Sequence, residues 1–174
     1  LPLHLDGGGR TGGAETVVVL AETEQRFVFR DVDQRPVPSL LRGFSAPAIL
    51  ECDDTPSELA LLLGHDPDGF NRWEAGQQLA LRACDALRDG ASTDAADAWC
   101  DALATLFDDA RLDAALLADL LTPPGEVELA EREAVVDPAH IHALREQLQR
   151  RLAARIGADK LDTRYRALAA QATS

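Results

Sequence analysis

The sequence predicts a mixed fold, β first and α after: a few short strands followed by an array of antiparallel helices. Three observations predict it. Apolar residues form β-branched or alternating runs up to residue 52, then recur at three- and four-residue steps from residue 53 onward. Cap-then-proline pairs, Thr55-Pro56 and Asp137-Pro138, open helical stripes only in the second part. The charge changes at the same places, with a net of −2 over residues 1–52, −14 over 53–136 and +3 over 137–174. The domain boundary is therefore set between residues 52 and 53.

The β part opens with Leu1-Pro2-Leu3-His4-Leu5, an alternating pattern. A glycine-rich stretch, residues 7–13, follows as a loop. It is no phosphate cradle, because Ala14-Glu15 stands where a P-loop needs Lys and then Ser or Thr. Val17–Leu20 and Gln25–Arg30 read as strands, with Ala21–Glu24 as a hairpin connection between them. Arg35-Pro36-Val37-Pro38 cannot be central strand, since its two prolines remove ladder donors. Ala48–Cys52 reads as the last strand.

The helices follow. Thr55, Pro56 and Glu58 form a capping-box start for a helix through Leu59–Leu63, with Gly64 placed as its C′ residue. A second helix runs from near Asp68 to about Arg88. A third runs from Thr93 or Asp94 to near Asp108, with Ala96, Trp99, Cys100, Leu103 and Phe107 inward. A fourth spans roughly Asp113–Leu121 and stops at Pro123-Pro124-Gly125. Glu126–Arg132 supplies one or two turns. A long helix after Asp137-Pro138 carries the stripe Ile141, Leu144, Leu148, Leu152 and Ile156, and Gly157 ends or bends it before Lys160–Ala170. Connections of two to six residues favour antiparallel neighbours, and 30 alanines let helices approach closely. No fixed-period sequence repeat is visible.

Composition bounds the function. The net charge of −13 argues against nucleic acid and anionic membrane as partners. There is no run of 18 apolar residues and no leader pattern, so neither a membrane span nor a signal peptide is expected. Three cysteines without close spacing fit a reducing, cytoplasmic compartment, as small buried hydrophobes. The absence of methionine, even at position 1, together with the abrupt strand-like start, suggests a piece of a longer polypeptide.

Nothing in the spacing asks for catalysis. His140 and His142 flank Ile141 and, two residues apart on a helix, point to different sides, whereas two ligands on one face want an i, i+4 step. The other histidines are His4 and His65, and no H-E-x-x-H occurs. Ser39, Ser45, Ser57 and Ser92 lack a G-x-S-x-G setting. The pairs Asp53-Asp54 and Asp108-Asp109 read as solvated caps, and eight aromatic residues are too few for a sugar-stacking site. No catalytic, cofactor-binding or metal residue is therefore assigned.

Two stretches are unusual as strings. One is Arg35-Pro36-Val37-Pro38-Ser39-Leu40-Leu41-Arg42-Gly43-Phe44-Ser45-Ala46-Pro47. The other is His65-Asp66-Pro67-Asp68-Gly69-Phe70-Asn71-Arg72-Trp73-Glu74-Ala75-Gly76-Gln77. Together they resemble the junction region of the bacterial aminopeptidase N family, gluzincin zinc metallopeptidases. The resemblance is dense from about residue 24 to 80 and diffuse after 90. It implies that residues 1–52 are the end of a β-sandwich domain and residues 53–174 the first part of an α-superhelical C-terminal domain. It implies a parent that removes N-terminal residues from peptides with a zinc-activated water. The family's H-E-x-x-H and G-A-M-E-N motifs do not occur in this chain, so the zinc belongs to the parent and this part is expected to be inactive alone. Its implied role is scaffold and cap or wall of the substrate cleft, its partners the remaining domains of its own polypeptide. The rival reading is a stand-alone acidic adaptor that binds another protein. Two structural expectations follow: residues 1–52 supply about four strands of an incomplete sandwich, and Leu161, Tyr165 and Leu168 lie exposed.

Overall fold

A computed structural model describes residues 4–5 and 14–172. The chain divides into two compact units, Leu1–Pro38 and Ser39–Ser174. The glycine-rich stretch 7–13 lies outside the described residues.

In the first unit, strand β1 (His4–Leu5) pairs antiparallel with β2 (Phe29–Arg30), with His4 opposite Arg30 and Leu5 opposite Phe29. These are the only strands among the described residues. Among the described residues, the expected partial sandwich over 1–52 is therefore not visible. Val17–Leu20 is irregular, only the end of Gln25–Arg30 is strand, and Ala48–Cys52 forms no regular element. Ala21–Glu24 does bend, and the Gln25 side chain accepts from the Ala21 N–H at 2.9 Å, yet its flanks do not pair. The physical reason is partnership. A strand is stable only when neighbours take its ladder bonds and a packed layer covers its apolar face, and a two-stranded pair leaves each strand one open edge and no covering layer. Val17 and Ile49 accordingly stand 86% and 95% exposed.

The second unit is helical. α1 (Pro56–His65) begins at the expected capping box: Thr55 Oγ1 accepts from the Glu58 N–H at 3.3 Å, and Glu58 Oε2 accepts from the Thr55 N–H at 2.7 Å. Gly64 is not the C′ residue but lies inside the helix. The helix stops one turn-fraction later because Asp66 precedes Pro67, which pushes it out of the helical region to φ −63°, ψ 129°. α2 (Gly69–Arg88), α3 (Asp94–Phe107), α4 (Ala114–Leu120), α5 (Glu126–Ala130), α6 (Pro138–Ile156) and α7 (Ala158–Ala172) follow. Asp68, Asp113 and Asp137 each cap a helix through two backbone N–H groups. Gly157, at φ 93°, separates α6 from α7 in a conformation that side chains avoid.

α1, α2 and α3 pack on one another, α6 crosses α2, α3 and α5, and α7 meets α6. The core is built on Leu59, Leu63, Leu79, Trp99, Leu103 and Leu148, all essentially fully buried. All five predicted stripe residues of α6 are buried. On α7, Tyr165 and Leu168 are exposed as expected, whereas Leu161 is half-buried against the core.

Candidate functional site

The part of the first unusual string from Ser39 onward meets the second string in space. Residues 39–45 form a strap that lies on the corner between α1 and α2, where the second string makes the turn. Asp66 and Asp68 organise that turn: Asp66 Oδ1 accepts from the Asp68 N–H at 2.8 Å, and Asp68 Oδ1 accepts from the Phe70 and Asn71 N–H groups at 3.0 Å each. The strap is tied on by the leftover groups. Asp68 Oδ2 accepts from the Gly43 N–H at 3.1 Å, and the Asn71 amide donates to Ser39 Oγ at 2.9 Å and the Leu40 carbonyl at 2.8 Å. Arg42 brings its guanidinium 3.9 Å from Asp66 Oδ1, and the Asp66 side chain is wholly buried. Its Oδ2 has no hydrogen-bond partner among the described residues. The Asn71 N–H bond, followed by the Gly43 and Phe70 N–H bonds and the Arg42 charge, holds the Asp68 carboxyl below its ordinary range.

The strap is strained. Leu41, Gly43 and Phe44 adopt left-handed φ values of 53°, 60° and 56°. For the two non-glycine residues this costs on the order of 1–3 kcal/mol each. Phe44 rests on Phe70 with ring centroids 4.5 Å apart, and Phe70 lies 5.8 Å from Trp73. The Arg72-Trp73-Glu74 cluster is a packing device. Arg72 donates to the Leu63 and Gly64 carbonyls at 3.0 and 3.2 Å, covering the open end of α1, while Trp73 packs on the core and Glu74 accepts from Gln78 at 3.1 Å. Sequence reasoning marked both strings but not their union. A helix start near Asp68 was readable; that Asn71 would reach back 32 residues to Ser39 was not.

The remaining titratable groups are dispersed. His140 and His142 are both exposed, and His142 Nδ1 lies 2.8 Å from Glu126 Oε1, a contact that raises its pKa. Asp108 pairs with Lys160 at 2.6 Å and Asp109 with Arg111 at 3.1 Å, the latter bond lowering the Asp109 pKa. Burial pushes Cys84 and Cys100 up to about 11 and also raises Cys52, so none is a thiolate at neutral pH. A surface depression of about 490 Å³ has Cys52, Arg82 and Arg132 on its walls. Both cations are already engaged: Arg82 donates to the Asp54 carbonyl, and Arg132 binds Asp85 at 2.5 Å.

A catalytic zinc does not fit these residues. Among the described residues no three of His, Cys, Asp and Glu converge, and the one engaged imidazole is committed to a carboxylate on a neighbouring helix. No helix among the described residues is long and apolar enough to cross a membrane.

Comparison with known proteins adds the following. Residues 56–174 match the family model described as a domain of unknown function (DUF3458_C) with ARM repeats, and residues 2–53 match its companion of unknown function (DUF3458) with an Ig-like fold. The chain is 37% identical over 154 residues to aminopeptidase N of Caulobacter vibrioides, covering 88% of this chain and 18% of the relative. It is 35% identical over 169 residues to aminopeptidase N of Escherichia coli, covering 95% and 19%. It therefore spans less than a fifth of the length of these curated relatives. Among solved structures it is similar to Legionella pneumophila aminopeptidase A, crystallised with aspartic acid. There the TM-score is 0.61 at 28% identity, covering 74% of this chain and 16% of the other.

Proposed function

This chain belongs to the DUF3458_C ARM-repeat family and corresponds to one stretch of aminopeptidase N, and from that premise we propose that it is a non-catalytic part of a zinc aminopeptidase. Its role is scaffold, with the helical unit capping or walling the cleft that admits peptides. The parent releases N-terminal residues from peptides. Within the parent, where further strands pair with them, residues 1–52 are the end of a β-sandwich, and residues 53–174 are the first part of an α-superhelical domain. Their partners are the other domains of the same polypeptide, in the cytoplasm, where free thiols such as Cys52, Cys84 and Cys100 persist.

The observation that carries this reading is the extent of the likeness: 95% of this chain aligns within the Escherichia coli aminopeptidase N. The exposed Val17, Val19 and Ile49 support it further, because strand-type side chains left bare suit a layer that other strands complete better than an adaptor's finished surface. Zinc is assigned to the parent alone, since the donor set here does not fit it.

The test is a chimera in which this chain replaces the matching stretch of the Escherichia coli enzyme. Turnover of a dipeptide anilide should persist while the preference for peptide length shifts. A folded chimera with an unchanged length preference would sink the cleft-wall role, and one that cannot assemble would sink the scaffold role.

A further inference from the structure

The geometry points to a clasp: the strap of residues 39–45 opens and closes as a unit on the α1–α2 corner while the helices beneath it stay folded.

Two observations carry this independently of the reading above. The strap is held by polar ties rather than by its own apolar burial. Leu40 and Phe44 are 42% and 72% exposed, and its ties include the Asn71 amide, Asp68 Oδ2, the Arg42–Asp66 contact and the tilted Phe44–Phe70 ring contact. Opening loses these contacts but relaxes the left-handed run at residues 41, 43 and 44, and gives the buried Asp66 Oδ2 access to water. The opposing terms place the strap at the low-stability end of the molecule.

The corner, by contrast, is self-sufficient. Asp66 Oδ1 keeps the Asp68 N–H, Asp68 Oδ1 keeps the two N-terminal amides of α2, and Arg72 keeps the last carbonyls of α1. None of these bonds uses a strap atom, so the strap leaves without unfolding either helix. An open clasp presents the Asn71 amide, Asp68 Oδ2 and the Phe70 ring together on one surface.

The experiment is hydrogen exchange by mass spectrometry on the whole chain, with Asn71→Ala and Asp68→Asn. Asp68→Asn keeps one side-chain oxygen for the α2 cap and turns an NH2 toward the Gly43 N–H. In both variants, peptides covering residues 39–48 should exchange at least about tenfold faster, from the loss of one or two hydrogen bonds. Peptides within residues 75–88 and 94–107 should be unchanged, and the thermal midpoint of Asp68→Asn should stay near that of the parent chain. Unchanged strap exchange would overturn the clasp. So would strap and α2 accelerating together, whether by joint unfolding or because the variants fail to fold.

Discussion

Thr55 and Glu58 exchange two hydrogen bonds at the start of α1, each satisfying an amide that the helix itself leaves open. Thr55→Ala removes the acceptor for the Glu58 N–H and should lower stability by about 1 kcal/mol, read from urea unfolding with an unchanged slope. His142 offers a second test at this scale. Its bond to Glu126 raises the folded-state pKa above the ordinary 6.5. The stabilisation is therefore fully present below the unfolded value and is lost as pH rises through the higher folded one. NMR titration should place the His142 midpoint above 6.5, and Glu126→Gln should bring it back toward that value. A midpoint insensitive to Glu126→Gln would mean the contact is not made in solution. Both residues were legible in sequence, but differently. The capping box is a local pattern, whereas the partner of His142 lies on another helix, so periodicity could only set its direction apart from that of His140.

Helix against helix, burial outweighs charge. α3 and the last two helices face each other with opposite signs: Asp97 with Arg151 at 3.7 Å, Asp101 with Arg155, and Asp108 with Lys160 at 2.6 Å. The acidic middle and basic tail of the sequence are thus used against each other. These pairs are between about a third and three-fifths exposed, and exposed pairs contribute about 0–1 kcal/mol. Leu148, fully buried on α6, is in a different class, and truncating it should cost about 2–5 kcal/mol. Thermal unfolding of Arg155→Ala and Leu148→Ala should separate by that margin, and only the former should become less distinct from the parent chain as salt is added. The stripe that buries Leu148 was readable because an i, i+3/i+4 pattern states its own face. The end of α1 was misread because Gly64 looked like a C′ glycine while the stronger instruction came from Pro67.

At the scale of the whole molecule, what a segment can form depends on what lies beside it. The helices close their backbone bonds within themselves, so residues 56–172 could be laid out in order from sequence, with ends shifted by a few residues. Strands cannot do this. Val17–Leu20 and Ala48–Cys52 carry the composition of strands, but composition does not supply the neighbours that take their ladder bonds. The same logic governs chemistry. Zinc hydrolysis needs three protein ligands around one open position, and the nearest approach among the described residues is a single exposed imidazole already bonded to a carboxylate. Carboxylates without nitrogen or sulfur beside them suit calcium or magnesium better. The chain purified alone should therefore retain well under one zinc per molecule after dialysis, and should not turn over alanine anilide when zinc is restored. Stoichiometric zinc, with turnover that a chelator abolishes, would show that ligands gather here after all, and the scaffold reading would have to be given up.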